Sequence, residues 1–331
     1  MANKLFLLLL PTLVLLSDVA PSLSEKCHPE DKRALLEIKK ELNNPTLLSS
    51  WKPHRDCCQS GVWYGVECSP YTNRVSDLTI SNNTDIAAQF PASIGSLTYL
   101  ESLYITLLPN LTGPIPKSIT NLRYLTISST SVSGPIPKLD AEFKSLVFMD
   151  LSDNALSGTL PPSLSTLPVL QEIQFNNNKL TGPIPPSYGY FNNSNLPSMI
   201  LSYNLLSGSL PESLARLNGS IIDFSHNRFE GDASVLFGSA KQTLSIDLSW
   251  NLFAFDLGKV QLSNKLNTLD VSHNHIFGTL PVGIENIRLL NVSYNSLCGE
   301  IPKGGNMKNF DKYSFFHNKC LCGSPLPRCK Q

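Results

Sequence analysis

No excess of charge marks this chain: 26 basic side chains stand against 26 acidic ones in 331 residues. Bulk electrostatics therefore gives no footprint for a nucleic acid. Past its leader the chain has no run of eighteen apolar residues, the length that a membrane-spanning helix needs. The signatures of familiar catalysis are missing as well. There is no P-loop, HExxH or G-x-S-x-G, and His226 and His273 sit on separate units of a repeat rather than beside a nucleophile. Neither catalysis nor a cofactor is expected. Cysteine is absent from the whole interior, between Cys68 and Cys298.

The eight cysteines form two terminal groups: Cys27, Cys57, Cys58 and Cys68, then Cys298, Cys320, Cys322 and Cys329. An even count clustered at both ends suggests disulfides, and the absence of CxxC pairs argues against zinc. Cys57 and Cys58 are adjacent and poorly placed to bond to each other. The expected pairs are Cys27–Cys57, Cys58–Cys68, Cys298–Cys320 and Cys322–Cys329. The first residues fit the oxidising compartment that such bonds need. Lys4, an apolar core from Leu5 to Leu16, and the small residues Ser22 and Ser24 read as a secretory signal peptide over 1–24. The mature chain is expected to be soluble and extracellular.

Between the cysteine groups a unit L-x-L-x-x-N-x-L-x-G-x-I/L-P recurs, as in MDLSDNALSGTLP (149–161) and VSHNHIFGTLP (271–281). Its glycine falls at 113, 134, 158, 182, 208, 231, 278 and 299, with Ala254 filling the gap. Spacing this uniform means a solenoid, and an irregular first unit at 74–91 brings the count to ten coils. The two apolar residues of L-x-L point inward and their neighbours outward, which predicts one strand per coil and a single long parallel sheet. The asparagines that follow, Asn154, Asn178, Asn204, Asn227, Asn251, Asn274 and Asn295, can satisfy the backbone of the turn and of the neighbouring coil. Two units are short, Gly113 to Gly134 and Gly278 to Gly299, so a triplet is missing on the convex side and a change of curvature is expected near Leu125. Terminal coils need covers. At the front, PEDKRALLEIKKEL (29–42) sets Ala34, Leu35, Ile38 and Leu42 at helical spacing behind Pro29. The expected division is a cap over 25–73, an array over 74–302 and a second cap over 303–331.

These motifs resemble the plant extracellular leucine-rich repeat class. The cap CHPEDKRALLEIKKELNNPTLLSSW with the DCC after it, the segments EGDASVLFG and AFDLGKV, and the ending NKCLCGSPLPRC narrow the resemblance to the polygalacturonase-inhibiting family. That resemblance covers essentially the whole mature chain. It implies an α/β solenoid, a right-handed superhelix of about ten coils with a parallel concave sheet and disulfide-stapled caps. It also implies a concave face that blocks fungal or insect endopolygalacturonases, with Asp150, Gln171, Ser198, Asp223 and His273 on that surface, in the plant cell wall.

Independently of the resemblance, the positions around L-x-L give an outward face with the acids Asp77, Glu101, Asp150, Asp153, Glu172, Asp223, Asp247 and Asp270, against the bases Arg123 and Arg288. The face is expected to be negative. Stacked aspartates about 4.8 Å apart repel by roughly 1 kcal/mol per adjacent pair in water. Beside them Tyr104, Tyr124, Phe148, Tyr203, His226, Trp250, His273 and Tyr294 put large rings where a protein-binding surface places its anchors. Bases gather elsewhere, at Lys32, Arg33, Lys39 and Lys40 and at Lys308, Lys312, Lys319, Arg328 and Lys330. A solvated face accounts for them, and contact with anionic wall pectin is the second expectation. Five N-x-S/T sequons occur, at Asn82, Asn110, Asn192, Asn218 and Asn291. The competing function is a soluble ligand-binding or co-receptor module, or an ice- or wall-binding role, on the same scaffold without pectinase inhibition.

Overall fold

The computed structural model describes residues 26–119, 121–138, 143–191 and 197–329. The leader, the sequon at Asn192 and Lys330 lie outside the described residues. Among the described residues no helix is long and apolar enough to cross a membrane.

Parallel strands beginning at residues 75, 102, 124, 148, 172, 198, 221, 245, 268 and 289 stack in register into one concave sheet, ten coils deep. The L-x-L pair drives this: Leu269 and Val271, like Met149 and Leu151, are fully buried. Packed phenylalanines continue the core, with Phe229 tilted against Phe224 at 5.8 Å and stacked on Phe253 at 6.1 Å between centroids. Leu125 keeps parallel register with Leu103 and Met149, so the short coil leaves the sheet unbroken. Residues 117–118 on its convex side form a turn, where other coils carry five-residue 3-10 helices such as Ala92–Ser96 and Pro162–Thr166.

The expectation of one strand per coil needs correction. After each asparagine the chain bends and the x-L-x-G run pairs with its neighbours. Ala155–Gly158, Lys179–Gly182, Leu205–Ser209 and Arg228–Gly231 form a second row of parallel strands along the flank. Glycine then takes a positive φ, +81° at Gly158 and +85° at Gly208, where a side chain would be strained.

The asparagine ladder joins the coils. Asn251 Nδ2 donates to the carbonyls of Phe224, Leu248 and Ser249, and its Oδ1 accepts from the Phe229 amide of the preceding coil. Asn178, Asn204, Asn227, Asn274 and Asn295 repeat the pattern, and Asn318 carries it into the C-terminal cap. Asn251, like its counterparts, supplies an acceptor to a backbone amide and donates to carbonyls of its own and the preceding coil.

The caps close the ends. The helix Pro29–Glu41 buries Ala34, Leu35 and Ile38. It also buries Asp31, which accepts two bonds from Arg74, at 2.8 and 2.7 Å, and one from the Val75 amide at 2.9 Å. Arg74 lies over the Tyr99 ring at 4.1 Å. An acid on the helix thus fixes the cap to the first coil. The four disulfides are Cys27–Cys57, Cys58–Cys68, Cys298–Cys320 and Cys322–Cys329, as the sequence led us to expect.

Candidate functional site

Strand alternation turns an inner column of side chains out of the concave sheet, and a second column follows beyond the strand ends. The inner column runs Tyr104, Thr126, Asp150, Gln174, Ile200, Asp223, Asp247, Asp270 and Asn291 in consecutive register. Its acids are not continuous. Gln174 and Ile200 separate Asp150 from the uninterrupted run Asp223, Asp247 and Asp270.

Each of these aspartates has a local task. Oδ1 of Asp150, Asp223, Asp247 and Asp270 accepts the amide of the serine two residues on, at 2.8 to 3.0 Å. The D-x-S spacing therefore builds a side-chain turn that ends the strand. Asn291 makes the same bond to the Ser293 amide at 3.2 Å. A neutral amide suffices for the turn, so the turn explains the acceptor and leaves the charge unexplained. That charge is costly at Asp247, where burial foremost, and then the neighbouring Asp270 and Asp223 carboxylates, push the pKa up to about 6. Repulsion along the column is thus the smaller part of its cost, behind desolvation.

The second column lies three residues further along each coil. Tyr203, His226, Trp250, His273, Tyr294 and His317 stack ring on ring, with centroid separations of 4.0, 5.4, 3.8, 4.1 and 4.3 Å. All six take a left-handed backbone conformation, φ +50° to +55°. Asp153 and Asn177 occupy the same position in earlier coils, also at positive φ. Left-handed backbone is uncommon outside glycine and asparagine and costs of order 1–3 kcal/mol per residue. The asparagine ladder, whose members directly follow these residues, holds the conformation. Ring faces cover one another, so the ridge offers its edges outward: Trp250 and Tyr203 are about half exposed. Burial holds His273 below an ordinary imidazole pKa, and its Nδ1 is buried with no hydrogen-bond partner among the described residues.

Of the residues singled out from sequence, Asp223, Asp247, Asp270, Tyr203, His226, Trp250, His273 and Tyr294 come together in the C-terminal half of the concave face. The others lie apart from them. Tyr104 and Asp150 belong to the inner column further forward, and burial raises the Tyr104 hydroxyl pKa. Phe148 and Glu172 share a third column with Ser198, on the far side of the buried L-x-L residue. Gln171 is exposed at its edge. Ser198 is buried and its hydroxyl accepts the Ile221 amide at 3.2 Å, so it supports the sheet. His317 escaped sequence reading, although its His-Asn pair (317–318) repeats those of 226–227 and 273–274.

The sequons differ in setting. Asn82, Asn110 and Asn218 are exposed. Asn291 is tied to the inner column: its Nδ2 donates to Asp270 Oδ2 at 3.2 Å and its Oδ1 accepts from the Ser293 hydroxyl at 2.7 Å.

Comparison with known proteins places this architecture. A leucine-rich repeat N-terminal domain model matches residues 28–69, and a leucine-rich repeat model matches 145–167, 169–191 and 265–287. Polygalacturonase inhibitor 2 of Arabidopsis thaliana is 51% identical over 98% of this chain and 98% of its own. Leucine-rich repeat protein FLOR 1 of the same plant is 47% identical over 92% of this chain and 94% of its own. Among solved structures a plant ice-binding protein superposes with a TM-score of 0.87 at 43% identity, covering 92% of this chain and 99% of that one. With a cysteine-bearing cap, an asparagine-laddered solenoid and identity of about half over nearly its full length, the chain belongs to the polygalacturonase-inhibitor family of leucine-rich repeat proteins.

Proposed function

We propose that the protein is secreted to the plant cell wall and inhibits fungal or insect endopolygalacturonases by laying its concave face over the enzyme's substrate cleft. One observation carries this reading: an uninterrupted run of carboxylates, Asp223, Asp247 and Asp270, lies beside a ridge of stacked rings on the same three coils. A pectin-cutting enzyme attracts a polyanion, so the rim of its cleft is basic. The carboxylates complement that rim and speed encounter, while the ring ridge supplies holding strength. Tyr104, Phe148, Asp150, Gln171 and Glu172 extend the same face forward. Relatives that carry the name of polygalacturonase inhibitors support the reading, and the disulfides suit an extracellular setting. The basic residues of the two caps form a solvated surface, with wall pectin as their candidate partner.

A second reading keeps the same face and drops the inhibition, as a ligand-binding module; FLOR 1, 47% identical, is a relative whose name does not describe an inhibitor. The experiment that separates them uses the secreted mature protein and follows release of reducing ends from polygalacturonate by a panel of fungal and insect endopolygalacturonases. Inhibition of at least one enzyme at nanomolar to micromolar protein is the expected result. No inhibition across a broad panel moves the function to the ligand-binding reading.

A further inference from the structure

The inner column departs from its own habit at Ile200. In the three coils that follow, Asp223, Asp247 and Asp270 each accept the amide of the serine two residues on. Ile200 stands at that position before Ser202 and has no acceptor to offer. This coil forgoes the side-chain turn and instead turns a half-buried isoleucine out of the sheet, between Gln174 and Asp223.

The isoleucine has apolar company. Ile221 begins the next strand, 38% exposed, and faces outward two residues before Asp223, which is the register partner of Ile200. The two isoleucines are thus diagonal neighbours on one face of the sheet. Their register is fixed by Ser198 of the Ile200 strand, whose hydroxyl accepts the Ile221 amide at 3.2 Å. Tyr203, three residues after Ile200, is 52% exposed and opens the ring ridge. An apolar seam therefore crosses the inner column at the place where its acids pause.

We propose that this seam, Ile200 with Ile221, receives an apolar side chain of the inhibited endopolygalacturonase and holds the enzyme on the concave face. The seam rests on the reading of that face as the docking surface and deepens it by naming an anchor point. Its occupant belongs to the same enzyme because the seam is continuous with that surface on two sides. The acid run starts at Asp223, the next position of the column, and the ridge starts at Tyr203. An aliphatic or aromatic side chain laid on the isoleucines removes apolar area from water, and anchors of this kind act where surrounding polar contacts exclude solvent. The carboxylates steer encounter, and the seam slows departure. The scaffold does not demand isoleucine at this point. An aspartate would supply the turn, and Thr126 shows that a β-branched polar residue fits the same column.

The test is Ile200→Asp in the full mature chain, which supplies the missing acceptor for the Ser202 amide and lengthens the acid run by one. Association and dissociation with an endopolygalacturonase that wild type inhibits are followed by surface plasmon resonance, beside the reducing-end assay. If charge alone held the partner, the added carboxylate would leave the complex as tight or tighter. The seam predicts dissociation about tenfold faster or more, with association no slower than wild type, and inhibition weakened in proportion. Ile221→Ser and Ile200→Thr are expected to speed dissociation at least about fivefold, while Ile200→Val keeps it within about threefold. Ile200→Thr guards against a disturbed strand in the aspartate variant, and melting curves accompany each protein. A folded Ile200→Asp or Ile200→Thr that dissociates as slowly as wild type overturns the seam and leaves the inhibitor reading intact. Absence of wild-type inhibition across the panel removes the inhibitor reading, and the seam with it.

Discussion

Trp250 and His273, from adjacent coils, stack with ring centroids 3.8 Å apart and 11° between their planes, although each sits at φ +55°. The stack and the backbone conformation depend on different things. Asparagine favours left-handed backbone and a β-branched residue resists it. Trp250→Asn is therefore expected to leave stability within about 1 kcal/mol of wild type, while Trp250→Val costs about 1–3 kcal/mol more. Urea denaturation of the two variants checks this, and equal losses would show that the ring, not the backbone, sets the stability there.

Asp247 makes stability depend on pH. Its folded pKa near 6 stands above the value of about 3.9 for an unfolded aspartate. The folded state thus holds the proton more tightly, so the favourable contribution is complete below about pH 4 and is lost as pH rises through 6. Asp247→Asn keeps an acceptor for the Ser249 amide and removes the buried charge. It is expected to stabilise the protein by about 1–2 kcal/mol at pH 7.5, after allowance for solvent screening, and by almost nothing at pH 3.5. Equal effects at both pH values would contradict the assignment.

The Asp31–Arg74 pair is expected to behave as a buried clamp. Asp31→Ala leaves the Arg74 guanidinium, whose side chain is only 11% exposed, with only the Glu30 carboxylate at 4.0 Å as an ion-pair partner, and leaves the Val75 amide without its acceptor. Removing one partner of a buried pair costs about 3–5 kcal/mol. Limited proteolysis should then cut between the cap helix and the first coil before the rest of the array opens.

Asn251→Ala removes one rung of the asparagine ladder. The amide of Phe229 loses its acceptor, while the carbonyls of Phe224, Leu248 and Ser249 each keep a second donor, Asn227 Nδ2, Asn274 Nδ2 and the His226 amide. An unsatisfied buried amide costs about 1–3 kcal/mol, and a loss of that size is expected. In a solenoid the damage stays near its coil, and hydrogen exchange at the Phe229 amide should accelerate far more than at Leu103.

Much of this architecture was legible in the sequence because the repeat imposes it. Leu269 and Val271 announce a buried strand face, Asn274 its turn, and the adjacent Cys57 and Cys58 the terminal staples. Other features depend on relationships that a one-unit pattern hides. The D-x-S turn of Asp270 and Ser272 was visible as spacing, yet alternation alone made the acid look like a free surface charge. The ridge was largely visible as Tyr203, His226, Trp250, His273 and Tyr294, and only His317 was missed. The left-handed backbone of the ridge was not visible, since Tyr, His and Trp are poor indicators of positive φ. The second row of strands hid in short runs such as Lys179–Gly182, which lack a strand's length. Arg74 with Asp31 joins residues far apart in the chain, and no periodicity reports such a pair.

The central claim is that the ridge on the concave face is what an endopolygalacturonase meets. The most direct measurement compares inhibition of one responsive enzyme by wild type, by Trp250→Asn/His273→Asn, and by the control Val282→Ser, a residue 95% exposed outside the concave strands. Loss of two anchors at the centre of an interface costs about 2 kcal/mol or more. The account predicts that the ridge variant inhibits at least tenfold more weakly while the control matches wild type. Wild-type inhibition by a folded ridge variant would contradict it.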